Sequence, residues 1–217
     1  GTVADVVPLL GENRKIVQQG LRVLKKSKRP GIQALLAVTE LQEKEITAGH
    51  IGFVLAPRLN AAGRLASALR GVELLLTEDG EEAQAIAEEL DAANRERQAV
   101  EQEILQAAEK QIEEIDVKRA HVLVLHGEGW HPGVIGIVAS RIVERYYRPT
   151  VIIAEEDGIG KGSCRSIRGF HMFEALSACR EHLLGFGGHA QAAGLSLRSA
   201  DVASFREAME AYAAKVL

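Results

Sequence analysis

An amphipathic segment at residues 77–116 constrains the fold of this chain more than any other stretch. Apolar side chains recur there every three or four residues, which is the spacing of one helical face. Its beginning, Asp79-Gly80-Glu81-Glu82, is typical of a capped helix start. Roughly 36 helical residues at about 1.5 Å each would extend about 54 Å. We therefore expect one long helix that connects two parts of the chain.

The parts before and after this segment differ in periodicity. Before it we predict helices at residues 14–28, 31–38 and 69–76, and after it strands alternate with helices. The predicted strands are 120–125, 150–154, 159–167 and 195–197, and the predicted helices are 134–147, 172–183 and 199–216. The predicted fold class is α/β: a helical N-terminal part, a long connecting helix, and an α/β domain with a central mixed sheet. We place the divisions at residues 1–76, 77–116 and 117–217.

The net charge of −4 conceals an uneven charge distribution. Residues 77–116 carry 14 acidic and 3 basic side chains, which leaves 16 acidic and 23 basic side chains elsewhere. A basic surface outside the acidic helix is compatible with phosphate binding, although ordinary surface charge gives the same count. No apolar run reaches the length of a membrane span. The only cysteines, Cys164 and Cys179, form no Cys-x-x-Cys pair, which favours a reducing, cytoplasmic location.

Three segments combine small residues with isolated cationic side chains. Residues 187–194 read GGHAQAAG, residues 57–65 read PRLNAAGRL, and residues 129–137 read GWHPGVIGI and run into a helix. We predict the first two as loops whose backbone approaches a ligand closely, because glycine permits such approach and successive N–H groups bind anions. The alternative for each is a tight packing corner.

Residues 160–168 place Lys161, Ser163, Arg165 and Arg168 on or next to a predicted strand. Ser163 and Arg165 are two residues apart, so both face the same side, with Cys164 on the other. A hydroxyl and a guanidinium that converge on one point can hold a phosphate. The alternative is a solvated strand face with a surface arginine.

Together, these segments resemble the RecJ family of single-stranded-DNA 5′-exonucleases. GGHxxAAG is the signature of the DHH-associated domain, and PRLNAAGR with GTVADVVPL at residues 1–9 is more specific. The resemblance covers essentially the whole chain. It implies a part of a 5′→3′ single-stranded-DNA exonuclease of DNA repair and recombination, in the DHH phosphoesterase superfamily.

The resemblance also implies roles for individual residues. Ser163 and Arg165 would hold the 5′-phosphate, joined by Arg64 or Arg58. His189 would contact the scissile phosphate as the catalytic side chain, or else hold the glycine-rich segment in shape. The remaining implied substrate contacts are Gly187, Gly188, Arg168 and His131, the last at a helix N-terminus or else packed as a loop histidine on Trp130.

The family's two Mn²⁺ or Mg²⁺ ions are implied to rest on Asp-x-Asp and Asp-His-His motifs, which this sequence lacks. Asp5 is the one implied metal ligand. One carboxylate does not hold a metal pair, so we expect this chain not to cut DNA by itself.

Other functions fit some of these features. One alternative is a phosphodiesterase of short oligonucleotides or cyclic dinucleotides, and another is a non-catalytic nucleic-acid-binding module or an interdomain scaffold. The resemblance implies single-stranded DNA, single-strand-binding protein and a RecQ-type helicase as partners, and no membrane. Trp130, Phe170 and Phe186 are candidates for stacking with bases, with core packing as the alternative.

Overall fold

The computed structural model describes residues 1–65 and 67–217, and they form two compact units, Gly1–Gln98 and Ala99–Leu217. The division falls inside the long helix, which contributes residues to both units. The three-part division at residues 76 and 116 stays a prediction. No helix among the described residues combines the length and the apolar character that a membrane span requires.

The first unit is helical. Its elements are α1 (Gly11–Lys25), α2 (Pro30–Val38), α3 (Ala48–His50), α4 (Ala56–Leu65), α5 (Leu69–Leu76) and the first part of α6 (Gly80–Glu113). A π-helical turn, Ile51–Leu55, joins α3 to α4. Leu35, Leu55, Leu74 and Leu90 are among the buried side chains of its core, so α6 closes this unit with its apolar face.

The PRLNAAGR segment is helical, and our prediction of a loop there is wrong. Pro57 stands in the first turn of α4, directly after the π-helical turn, where its missing N–H and its ring are accommodated. The small residues serve packing, because Ala61 and Ala62 are buried. Alanine runs have high helix propensity, and this preference outweighs the glycine at 63.

Helix α6 confirms the long-helix prediction, with its ends three residues inside the predicted ones. The Asp79 carboxylate accepts hydrogen bonds from the N–H groups of Glu81 (2.8 Å) and Glu82 (3.0 Å), which caps the helix. Four polar side chains on α6 are buried: Asp91, Asn94, Arg97 and Glu101. Buried charges need partners, and Arg58 and Arg95 supply them for Asp91.

The second unit contains a five-stranded mixed sheet in the order β1-β2-β3-β5-β4. The strands are β1 (Leu123–Glu128), β2 (Thr150–Glu156), β3 (Ile159–Arg165), β4 (Gly185–Gly188) and β5 (Ala192–Arg198). Strands β1 and β2 are parallel and are connected through α7 (Ile135–Tyr146), whereas the other pairs are antiparallel. The predicted fold class is thus confirmed.

The two faces of this sheet are covered differently. Helices α8 (Met172–Ala178) and α9 (Val202–Val216) pack on the face that carries Cys164, where Phe205 and Met209 are fully buried. Helix α7 packs on the other face and is joined to the second part of α6 by the ion pairs Arg141–Glu101 and Arg145–Glu109. On the α7 side of the sheet, no described helix of this unit packs on β4 and β5 as α7 packs on β2 and β3.

Some predicted boundaries in this unit are wrong. The strand predicted at 120–125 begins at Leu123, and the helix predicted at 172–183 ends at Ala178 and is followed by a 3-10 turn, Arg180–His182. The strand predicted at 195–197 extends over Ala192–Arg198, and β4 was not predicted at all. Three of the four β4 residues are glycine, which has low strand propensity, so pairing with β5 makes this strand.

Candidate functional site

Ser163 and Arg165 form the centre of the candidate site. They lie on the same face of β3, as their spacing predicts, and the Arg165 Nη1 donates to Ser163 Oγ (3.1 Å) and to the Cys164 carbonyl (2.9 Å). Cys164 between them points into the core, and burial raises the pKa of its thiol to about 12 against the opposing effect of Arg165. The strand therefore presents a hydroxyl and a guanidinium together at one half-buried point.

Gly136 brings the first turn of α7 against this pair. A Cβ at residue 136 would lie 2.9 Å from Ser163 Oγ and 3.0 Å from Arg165 Nη2, so glycine lets α7 lie this close to the two side chains. In the first turn of α7 the N–H groups of Ile135, Ile137 and Val138 already donate to backbone carbonyls, so the donor that this turn offers to an anion is the N–H of Gly136, which carries partial positive charge. Ser163, Arg165 and Gly136, which we call the anion cradle, combine three kinds of donor suited to a phosphate.

Beside the anion cradle, the sheet face is nearly free of side-chain bulk. In register with Ser163 lie Gly194 on β5 and Gly187 on β4, and in register with Lys161 lie Ser196 and Gly185. The three glycines are exposed, and Lys161 is exposed as well. This small-residue floor lets a polymer backbone lie close to the sheet.

The GGHAQAAG segment is a β-hairpin rather than the predicted loop. It contains the end of β4, a turn and the beginning of β5. Gly188 has a φ of +145°, and a Cβ there would lie 2.5 Å from the Ala192 carbonyl oxygen, so the hairpin requires glycine at this position. The His189 N–H donates to the same carbonyl (2.9 Å) and continues the ladder.

The His189 side chain is exposed at the end of this hairpin. Its Nδ1 accepts from the Gln191 N–H (3.3 Å), so the neutral ring carries its proton on Nε2. The geometry supports both predicted roles, since Nδ1 holds the turn and Nε2–H is a donor for an anion. His131 is similar: Nδ1 accepts from the Gly133 N–H (3.0 Å) before α7.

The other predicted cationic contacts are placed differently. Arg168 is exposed three residues beyond β3. Arg58 and Arg64 belong to the first unit, on α4. The Arg58 Nε donates to Asp91 (2.8 Å) and its Nη1 to the Val54 carbonyl (2.7 Å), so its guanidinium is committed within the helical unit. Arg64 is exposed in the last turn of α4.

The predicted aromatic candidates have distinct environments. Phe170 is buried and packs edge-to-face against Tyr212, which makes it a core residue. Phe186 is half-buried against Phe173 of α8. Trp130 is half-buried at the other end of the sheet, with its indole over Gly127.

Two features of the site were missed by sequence reasoning. From the sequence, Gly136 lies in the predicted helix 134–147 and receives no role in the site, and neither β4 nor the open face of β4 and β5 is predicted. A signal existed for the first. Glycine in the first turn of a helix is less stable than alanine there, which indicates that something approaches the backbone closely.

Comparison with known proteins finds a domain family for part of the chain and relatives for its whole length. Residues 118–215 match the DHHA1 domain family. The single-stranded-DNA-specific exonuclease RecJ of Bacillus subtilis is 43% identical over 219 residues, which cover 100% of this chain and 28% of that protein. The same-named protein of Escherichia coli is 47% identical over 207 residues, which cover 91% of this chain and 36% of that protein.

Solved structures agree in fold. The crystal structure of RecJ from Thermus thermophilus in complex with Mg²⁺ matches with a TM-score of 0.86 at 39% identity, over 99% of this chain and 33% of that chain. A crystal structure of exonuclease RecJ bound to manganese matches with a TM-score of 0.87 at 40% identity, over 99% and 53%. Over its whole length, this chain matches a part of RecJ.

The chain spans only 28–38% of the length of the six RecJ relatives. Asp5, the implied metal ligand, is exposed, and its N–H donates to the Gly1 carbonyl. Among residues 1–65 and 67–217, no three His, Cys, Asp or Glu side chains are grouped so as to hold a metal ion. The described residues therefore do not by themselves fit the Mg²⁺ or Mn²⁺ of the solved RecJ structures.

Proposed function

We propose that this chain is the strand-holding part of a 5′→3′ single-stranded-DNA exonuclease of DNA repair and recombination, and that it binds the 5′-phosphate. The observation that carries the proposal is the anion cradle. Its hydroxyl, guanidinium and helix N-terminus lie within a few ångströms of one another where α7 packs on β3, next to the uncovered glycines of β4 and β5. Because the 43% identity to a single-stranded-DNA-specific exonuclease extends over the whole chain, we propose DNA as the polyanion that the cradle binds.

The anion cradle and the small-residue floor bind different parts of the strand. Arg165 neutralises charge on the terminal phosphate, and the N–H of Gly136 and the hydroxyl of Ser163 each donate a hydrogen bond to it. The floor of Gly187, Gly194 and neighbouring small residues lets the sugar-phosphate backbone run along the sheet. Contacts of this kind fix the register of the strand without reading its sequence.

His189 stands at the end of the floor and supplies the donor nearest to a later phosphate. The contact of Nδ1 with the Gln191 N–H fixes the ring, so Nε2–H is the donor that His189 offers. We propose that it contacts the scissile phosphate. Lys161 and Arg168 add exposed positive charge along the same strand.

Hydrolysis by the intact protein is proposed to use divalent ions, as in the solved RecJ structures that contain Mg²⁺ or Mn²⁺. Asp5 is proposed as one ligand, and residues 1–65 and 67–217 hold no complete metal site. A cytoplasmic location and partnership with single-strand-binding protein and a RecQ-type helicase are likewise proposals. Two buried free cysteines support a reducing compartment.

The test is binding of a short single strand with and without a 5′-phosphate, measured by fluorescence anisotropy. We expect the phosphate to raise affinity about 10- to 100-fold, the range of charge-assisted hydrogen bonds. Arg165→Ala is expected to remove this preference and keep the weaker binding of both strands.

Arg180→Ala is the matched control, because Arg180 is exposed in the 3-10 turn after α8, on the opposite side of the sheet. It should keep the preference. Equal binding of both strands by the unsubstituted chain would contradict 5′-phosphate recognition and leave a general polyanion-binding module. A preference that survives Arg165→Ala would show that the cradle is misassigned.

A further inference from the structure

A cavity outside the anion cradle opens at the carboxyl ends of the parallel strands β1 and β2. Its volume is about 540 Å³, within the range of small-ligand sites. Its apolar wall comes from Trp130, Pro132 and Ile159, and Lys161 lines it next to the cradle strand. In open α/β sheets, ligands bind outside the carboxyl ends of the strands. The cavity is therefore placed and sized for a ligand group, and only His131 and Lys161 of its lining are among the proposed phosphate contacts.

Trp130 has an unusual position in this wall. Its indole lies over Gly127, where a Cβ would come within 2.3 Å of Cε2 and 2.5 Å of Nε1. The glycine thus creates the space that the ring occupies. A large aromatic side chain that is only half-buried, at the mouth of a cavity, offers a flat apolar surface to a ligand.

The register of the sheet puts this indole on the same face as the cradle. Gly127 pairs with Ala154, Ala154 with Lys161, and Ser163 lies two residues beyond Lys161. With strands about 4.8 Å apart and about 3.4 Å per residue, Gly127 is about 12 Å from Ser163. The cavity lies on the β2 side of Ser163 and the floor on its β5 side, so a strand whose terminal phosphate is bound at Ser163 and whose backbone runs over the floor can turn the base of its first nucleotide toward the cavity.

The charges of the cavity decide which part of a nucleotide enters it. Glu128, Glu156 and Asp157 are exposed carboxylates on its rim. They repel a phosphate, whereas a neutral base is not repelled and can donate its amino hydrogens to them. Base–aromatic stacking is the general means by which proteins hold unpaired strands.

We infer that this cavity is a base-stacking subsite, in which Trp130 stacks with the base of one of the first two nucleotides behind the bound 5′-phosphate. The inference rests on the proposed function, since the cradle sets the strand's position. Trp130 is the binding residue and Gly127 is a positioning residue that makes room for its ring.

The experiment uses the fact that Trp130 is the only tryptophan of the chain. A 5′-phosphorylated single strand is titrated against the unsubstituted chain while tryptophan emission is recorded, with anisotropy of a 3′ label as the measure of binding. Stacked bases are expected to quench the emission. Abasic sugars at nucleotides 1 and 2 should abolish the quenching, whereas abasic sugars at nucleotides 5 and 6 should leave it in place.

Two variants test the energetics. Trp130→Ala is expected to weaken binding of the intact 5′-phosphorylated strand about 5- to 150-fold and to leave the affinity for the strand abasic at nucleotides 1 and 2 unchanged. Trp130→Phe should keep most of the affinity, because a smaller aromatic ring still stacks. The unsubstituted chain with abasic strands gives the same information if Trp130→Ala does not fold.

The outcomes separate the two proposals. If the chain prefers a 5′-phosphate but all strands quench the emission equally, the subsite is overturned and the proposed function is kept. Equal effects of Trp130→Ala on the affinity for intact and abasic strands would have the same meaning. Absence of a 5′-phosphate preference in the unsubstituted chain would overturn the proposed function, and the subsite with it.

Discussion

The Asp91 carboxylate is buried in the helical unit, and two arginines stabilise its ionised form. It is buried on α6 and accepts hydrogen bonds from Arg95 Nε (2.9 Å) and Arg58 Nε (2.8 Å). Burial works to raise the pKa of Asp91, but the hydrogen bonds from Arg95 and Arg58 outweigh it and hold the pKa below its usual value. The same contacts keep Arg58 in place, so this arginine of the PRLNAAGR segment serves the fold.

Asp91 predicts a dependence of stability on pH. Because its pKa is lower in the folded state, its contribution is complete above the unfolded-state pKa, about 3.9, and is lost as pH falls through the lower folded value. Asp91→Asn should lower the free energy of unfolding at pH 7 by about 3 kcal/mol, since it leaves Arg58 without its buried partner, and flatten the slope below pH 4.

Urea denaturation between pH 2.5 and 7 measures this, with Glu96→Gln as the control because Glu96 is exposed on the same helix. A parallel pH dependence in Asp91→Asn and the unsubstituted chain would contradict the assignment.

At the scale of elements, glycine allows two pairs of segments to approach closely. Gly31 of α2 faces the Leu74 carbonyl of α5, where a Cβ would lie 1.8 Å from the oxygen. Gly136 of α7 faces Ser163 and Arg165 of β3 instead, at 2.9 and 3.0 Å. The first contact is with rigid backbone and the second with movable side-chain ends, so alanine at the two positions has different consequences.

Gly31→Ala is expected to destabilise the helical unit by about 1–3 kcal/mol, because the backbone of α5 must move to admit the methyl group. Gly20→Ala in α1 is the matched control. No atom lies within 4 Å of a Cβ there, and alanine should stabilise that helix by about 0.5–1 kcal/mol. Thermal unfolding of both variants measures the difference. A melting temperature of Gly31→Ala at or above that of the unsubstituted chain would contradict the close contact.

Gly136→Ala is expected to keep the fold and to reduce the 5′-phosphate preference about 10-fold, because the methyl group enters the cradle beside Ser163 and Arg165. Circular dichroism and the anisotropy titration together measure it. A variant that unfolds, or one that binds the 5′-phosphorylated strand as before, would show that the space above Gly136 is structural.

At the scale of the whole molecule, the distribution of charge matters more than its sum. The chain carries −4 in total, yet Lys161, Arg165 and Arg168 lie on or next to one strand of the second unit. Local positive charge governs contact with phosphates, because charges farther away than about 10 Å are screened at physiological salt. A net negative chain can therefore bind DNA through one small surface.

This surface predicts the salt dependence of binding. Three cationic side chains on or next to β3 correspond to a slope of about −2 in log K against log salt, at about −0.7 for each neutralised phosphate. Arg168→Ala should reduce the slope by about 0.7. Anisotropy titrations between 50 and 200 mM salt measure it, and a slope steeper than about −5 would indicate a much larger polyanion surface.

Local sequence determined much of this protein. The apolar periodicity of residues 77–116, the cap at Asp79 and the Ser163–Arg165 spacing all act within one element, so each predicted its local geometry correctly. The prediction of a loop at PRLNAAGR was wrong, because the helix propensity and the burial of Ala61 and Ala62 outweigh the effect of its glycine. The RecJ resemblance rested on the same local motifs, and the comparisons confirmed it.

Tertiary structure decided the rest. Strand β4 exists because β5 pairs with its glycines, Arg58 is committed because Asp91 on a distant part of the chain is buried beside it, and Gly136 completes the anion cradle because α7 packs over β3. In each case the partner belongs to another element, which follows almost directly for β4 and lies 33 residues away for Arg58. Periodicity and spacing report on neighbours within an element, whereas pairing and burial depend on contacts that form only when the chain folds.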